Sequence, residues 1–169
     1  MILVIMGVSG SGKTSVGRRL GEELGWRFIE GDDFHPPENV AKMGAGTPLD
    51  DSDRWPWLER LADEIAAIAA RGENAVLACS ALKQAYRDRL VSKAPPETVH
   101  FVHLTGTYEE IAERLAKRKH RYMPASLLAS QFAALEPPKD AIVVGMKEDV
   151  RDRVSSIRDA VADLKSRGS

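Results

Sequence analysis

Ile2-Leu3-Val4-Ile5-Met6-Gly7-Val8-Ser9-Gly10-Ser11-Gly12-Lys13-Thr14 is the stretch that decides the fold. An unbroken apolar run, Ile2 to Met6, reads as a strand covered on both faces. It breaks into glycines, and Gly7 to Thr14 match G-x-x-x-x-G-K-[ST] in full. Val16, Leu20 and Leu24 then step by four, so a helix is expected to begin near Lys13. A polyphosphate is highly anionic and must be met by several donors at once. Glycines let the backbone curl so that successive N–H groups point inward, and the helix N-terminus adds unpaired N–H groups and positive dipole. Gly7, Val8, Ser9, Gly10, Ser11, Gly12, Lys13 and Thr14 are therefore the expected cradle of ATP. Lys13 is expected to reach the β- and γ-phosphates, and the Thr14 hydroxyl to ligate Mg2+.

Working outward, short apolar runs alternate with helical patterns, the signature of an α/β fold with a parallel sheet. The strands are expected at Ile2–Met6, Arg27–Glu30, Ala75–Cys79, Val99–Leu104 and Ala141–Val144, each apolar on both faces. Helical stripes run through Leu58, Leu61, Ile65 and Ile68; through Tyr108, Ile111 and Leu115; through Leu128, Phe132 and Leu135; and through Val150, Val154, Ile157, Val161 and Leu164. Asp32–Asp53, rich in Pro, Gly, Asp and His, reads as a long connection with a function, held extended after His35 by Pro36-Pro37. With 169 residues, 43% hydrophobic and 29% charged, the chain reads as a single domain, 1–169, with a core that needs no disulfide. The net charge of −1 argues against a general nucleic-acid binder. The lone cysteine, Cys79, excludes an intrachain disulfide and a cysteine metal cluster. The N-terminal run lacks a basic flank and is too short for a signal peptide or a membrane span, so a cytoplasmic protein with no membrane partner is expected.

No strand ends in an obvious metal-binding aspartate of the switch-type NTPases, and no N-K-x-D motif is present. Small-molecule and nucleotide kinases remain the natural class. Such an enzyme needs a carboxylate to orient and deprotonate the acceptor hydroxyl. Ligands of α/β sheets bind beyond the carboxyl ends of strands, which brings Asp32, and next to it Asp33, toward the phosphate loop. Asp32 is the chosen base, with Asp33 the alternative; Glu30 is a weaker candidate for holding magnesium through water. Phosphoryl transfer also needs cations around the moving group. Arg118, then Arg121, with Arg114 near them, are the candidates, on a basic segment expected to close as a lid over about 114–124. Arg54, Lys83, Arg87 and His35 are the candidate acceptor-binding residues, a cationic set that suits an acidic molecule. The acceptor-binding segment is placed at about 32–71.

Gly31-Asp32-Asp33-Phe34-His35-Pro36, Asn39, Lys42-Met43, Gly46, Pro48-Leu49 and Asp51-x-Asp53-Arg54 resemble the small P-loop gluconokinases. Trp57-Leu58, Ala78-Cys79-Ser80-Ala81-Leu82-Lys83, Tyr86-Arg87, His120, Met123-Pro124, Leu127-Leu128-x-Ser130-Gln131-Phe132 and Leu135-Glu136-x-Pro138 continue the resemblance. It spans the chain from the phosphate loop to about Pro138, and the closing helix is generic. The resemblance implies a three-layer fold similar to shikimate and nucleoside monophosphate kinases: a five-stranded parallel sheet of order 2-3-1-4-5, helices on both faces and a mobile lid. It implies the transfer of phosphate from ATP to D-gluconate, giving ADP and 6-phosphogluconate, in a cytoplasmic homodimer. By analogy with shikimate kinase it favours Asp32 as the residue that meets the acceptor hydroxyl.

Overall fold

The computed structural model describes residues 1–118, 125–146 and 148–168. β1 (Ile2–Met6) is the middle strand of a five-stranded sheet with β2 (Arg27–Glu30), β3 (Ala75–Ala78), β4 (Val99–Leu104) and β5 (Ile142–Val144). All neighbours are parallel, in the order β2-β3-β1-β4-β5, as the resemblance implied. Every residue of β1 is fully buried because both faces are covered. Ile2, Val4 and Met6 meet Leu58, Leu61 and Ile65 of α3 (Asp51–Ala70). Leu3 and Ile5 face α1 (Lys13–Leu24) and α7 (Val150–Arg167), through Val16, Leu20, Val154 and Ile157. Each such side chain contributes roughly 1.5–3 kcal/mol by leaving water. α4 (Gln84–Val91), α5 (Tyr108–Ala116) and α6 (Ala125–Ala134) complete the α3 side.

Cover fails at the sheet edges. Arg27 of β2 and Val143 of β5 are exposed, since an outermost strand has neighbours on one side only. Tyr108 is also exposed and rests its ring on Phe132 instead of entering the core.

The Asp32–Asp53 connection is not the extended loop that its composition suggests. Gly31–Phe34 form one 3-10 turn, and α2 (Pro37–Gly44) follows. His35 and Pro36 are extended, as is Asp50 before α3; Pro37 sits in the first helical turn, where a missing N–H costs nothing. α2 buries just Asn39, so it offers no apolar stripe to read. α4 is hidden for another reason: one of its three buried residues is the cation Arg87. α3 begins in a capping box, in which Asp53 N–H donates to Asp50 and Asp50 N–H donates to Asp53.

Gly31 sets the path of the chain out of β2. A Cβ there would lie 2.3 Å from the Ala78 carbonyl oxygen, and its own carbonyl accepts the Trp57 indole N–H at 2.8 Å. Only a glycine lets the chain leave β2 this close to β3 and aim Asp32 past the sheet. Gly31→Ala is therefore expected to cost about 1–3 kcal/mol through overpacking. Thermal melting checks it, with a fall of about 2–12 °C expected at this chain length.

Candidate active site

The phosphate loop forms where β1 ends. Gly7 N–H donates to the Ser80 carbonyl at 3.2 Å, tying the loop to the end of β3. Gly12 caps α1 at φ 95°, a left-handed conformation that glycine adopts without strain. Lys13 is half-buried and donates to the Val8 carbonyl at 3.0 Å. Burial pushes its ammonium below the ordinary lysine value; the carboxylates of Asp32 and Glu30 pull it up, and the Arg118 charge pushes it down. The Thr14 hydroxyl donates to Glu30 Oε2 at 2.6 Å, so two hard oxygens stand side by side where β2 ends. Among the described residues no cluster of three His, Cys, Asp or Glu side chains could hold a metal alone. The Thr14–Glu30 pair therefore fits an ion that arrives with waters and phosphate oxygens of its own.

A cavity of about 420 Å³ opens beside the loop. It is lined by Ser9 and Lys13 from the loop and by Asp32, His35, Arg54 and Trp57 from the segment after β2. Asp32 is exposed into it; Asp33 does not line it. The His35 ring stacks on Trp57, with centroids 4.1 Å apart and planes 14° from parallel. Asn39 approaches His35 Nδ1 at 3.2 Å through its amide nitrogen, which only donates, so Nδ1 accepts and Nε2 carries the proton. That Nε2 lies 3.9 Å from Asp32 Oδ1. Burial lowers the His35 pKa; Asp32 pulls it up and Arg54 lowers it. The imidazole is thus neutral at pH 7 and offers one N–H toward the cavity.

Arg54 lines the same cavity and is oriented from behind. Its Nη1 donates to the Tyr86 hydroxyl at 2.8 Å, and Tyr86 donates to Asp51. Lys83 and Arg87, expected beside Arg54, are placed otherwise. Lys83 pairs with Asp51 at 3.2 Å and does not line the cavity. Arg87 is 2% exposed and also lies off the cavity. It donates to the carbonyls of Ala81, Leu82 and Glu136 at 2.7, 3.1 and 2.7 Å. Ala81 has φ 46°, a strained conformation for a residue with a side chain. Arg87 therefore clamps the turn after β3, and the physical reason it is absent from the cavity is that its guanidinium is spent on these backbone carbonyls.

Of the basic segment, Arg114 and Arg118 are described and Arg121 lies outside the described residues. The two described arginines are near enough for the charge of Arg118 to lower the Arg114 pKa, after burial. Two residues had no assigned role in the sequence. Gln131 of α6 accepts the Ser9 N–H at 2.6 Å and donates to the Ser9 hydroxyl at 3.0 Å, joining the helix after 119–124 to the phosphate loop. Arg153 of α7, fully buried, donates to the Ser11 carbonyl at 2.9 Å. Gln131 stands in the quoted Leu127–Phe132 stretch, a signal that could have found it; Arg153 lies in the generic closing helix and has none.

A phosphate loop feeding a helix in a 2-3-1-4-5 parallel sheet, with a carboxylate and cations across a shared cavity, defines a P-loop kinase. The family model described as an AAA domain matches residues 2–138. The thermosensitive gluconokinase of Escherichia coli K12 is 42% identical over 96% of this chain and 88% of its own. A crystal structure of a gluconokinase from Sinorhizobium meliloti superposes with a TM-score of 0.90 at 42% identity, covering 98% of this chain and 93% of that one. Shikimate kinase from Aquifex aeolicus, 18% identical, shares the fold with a TM-score of 0.60 over 99% of this chain and 98% of that one. The chain belongs to the gluconokinase family.

His35 and His103 both have pKa values lowered chiefly by burial from the ordinary 6.5. A neutral native histidine favours folding fully above that value, because the unfolded chain takes up the proton first as pH falls. Stability is therefore expected to decline as pH drops below about 6.5. Melting temperatures between about pH 5 and pH 7.5 test this, and a rise on acidification contradicts it.

Proposed function

We propose that this protein transfers the γ-phosphate of ATP to the 6-hydroxyl of D-gluconate, releasing ADP and 6-phospho-D-gluconate. The observation that carries the reading is the single cavity shared by the phosphate loop and the residues after β2. Gluconate is a linear polyol with one carboxylate. Arg54, fixed by Tyr86 and Asp51, suits that carboxylate, and the His35 Nε2–H and Asp32 suit hydroxyls.

In the reaction the acceptor oxygen attacks the γ-phosphorus and Asp32 takes the hydroxyl proton. The bond from the γ-phosphorus to the bridging oxygen breaks, and its electron pair leaves with ADP. Lys13, with Arg118 and Arg114, meets the charge on the phosphate chain, the main requirement of a reaction that depends on positioning and electrostatics. Val8 O holds the Lys13 ammonium at the loop until phosphate oxygens take its place. Thr14, with Glu30 nearby, would hold Mg2+, which would supply charge neutralisation to the phosphates.

The reading includes one domain over 1–169, an acceptor segment at about 32–71 and a lid at about 114–124 carrying Arg121. It also includes a cytoplasmic homodimer with no nucleic-acid or membrane partner. The net charge of −1 and the single, buried cysteine support the location and the partners; the homodimer rests on the family resemblance. No helix among the described residues is long and apolar enough to cross a membrane.

ADP release with MgATP across D-gluconate, shikimate and nucleoside monophosphates tests the function. Gluconate alone is expected to support turnover; release with a different acceptor replaces the substrate. Lys13→Ala should abolish kcat. Asp32→Asn should leave ATP binding intact and lower kcat by about 10²–10⁴, the range for acid–base groups. The same loss from Asp33→Asn, with Asp32→Asn active, would move the base. Tyr86→Phe removes the hydroxyl that orients Arg54 and is expected to raise the KM for gluconate by about 3- to 10-fold, from a lost hydrogen bond of about 1 kcal/mol, with the KM for ATP unchanged. Sedimentation of the purified protein checks the dimer.

A further inference from the structure

Arg153 is fully buried in the first turn of α7, yet it has no carboxylate partner among the described residues. Its Nη2 donates to Ser11 O, while Nε and Nη1 are buried without a hydrogen-bond partner among the described residues. The Ser11 hydroxyl beside it is buried and unpartnered as well. Nη1 comes within 3.0 Å of the point where a Cβ on Gly12 would sit, and Arg114 Nη2 within 3.1 Å of the same point. Two guanidinium groups thus press on one glycine at the N-terminus of α1.

That arrangement works against itself when the surroundings are neutral. Burial and the neighbouring Arg114 both lower the Arg153 pKa, and Glu148 only partly opposes them. A buried cation without a paired acid is costly, and an apolar residue of the same size would fill the site beside Val154 and Ile157 more cheaply. An anion near the loop reverses the sign of the balance.

We propose that Arg153 is a positioning residue for the triphosphate, holding the phosphate loop by the Ser11 carbonyl and forming with Arg114 a cationic layer behind Gly12. It rests on the reading of ATP as donor. The peptide between Ser11 and Gly12 carries the effect. A charged donor on its carbonyl polarises the unit, and the Gly12 N–H at its other end becomes a stronger donor to an anion. Arg153 needs no direct contact with phosphate for this.

Arg153→Met keeps the length and apolar stem and removes the charge; Arg153→Lys keeps the charge and loses the fork. The measurements are calorimetric binding of MgATP and of inorganic tripolyphosphate without acceptor, together with KM and kcat. Arg153→Met is expected to weaken both ligands by about 10- to 100-fold, the effect of a hydrogen bond to a charged group. The KM for the acceptor stays within about twofold, and Arg153→Lys recovers most of the tripolyphosphate affinity, because the fork geometry matters less than the charge. A purely structural residue would lower the melting temperature without this selective loss. Wild-type affinity in a folded Arg153→Met protein overturns the proposal, and so does loss of the fold in both variants. A wild-type protein that binds neither MgATP nor tripolyphosphate removes the kinase reading itself, an outcome distinct from wild-type binding that survives the substitution.

Discussion

The structure turns on positive charge gathered, half-dehydrated, at the N-terminus of α1. Lys13, Arg114 and Arg153 converge there, and burial lowers the pKa of each. The helix dipole adds to the same sign. Among the described residues nothing neutralises this fully: Glu30 is engaged by Thr14, and Lys13 is held by a neutral carbonyl. The cost is carried by the apolar sandwich around β1, which leaves water completely on both faces. Such a site suits a polyanion by its charge.

The segment after β2 is built on the opposite plan, with each polar group held by another. His35 is fixed by Trp57 and Asn39, Asn39 also donates to the Asp53 carbonyl, and Lys42 pairs with Asp53 at 2.6 Å. Arg54 leans on Tyr86, and Tyr86 on Asp51. The Asp51-x-Asp53-Arg54 signature thus divides its labour: Asp53 completes the capping box that Asp50 begins, Asp51 anchors a network, and Arg54 alone of the three faces the cavity. Such a chain of partners fixes the direction of each side chain. Gln131 bridges the two halves, since α6 reaches Ser9 of the loop from the cavity wall.

Sequence reading worked where one periodicity served one purpose. β1 was legible as an unbroken apolar run, and α1, α3 and α7 because their apolar positions repeat at the helical pitch and nearly all of them meet the core. The glycine loop was legible because few residue types can make that turn. Reading failed where a polar residue occupied an inward position. Asn39 left α2 unmarked and Arg87 left α4 unmarked, as each hides its element's stripe. Arg87 and Lys83 show the matching error at the site: a cation near a strand end looks like a ligand until its own hydrogen bonds are seen.

The chain by itself determined the sheet class, the phosphate loop, the carboxylate after β2 and the family, because these rest on local spacing and on residue types with few substitutes. Only the tertiary structure decided which cations face the cavity and which serve the backbone. It also decided that Arg153, 142 residues beyond Ser11 in sequence, stands behind the phosphate loop. The physical reason is that a guanidinium takes its role from the acceptors within about 3 Å of it, and long-range packing sets those neighbours without leaving a mark in local sequence.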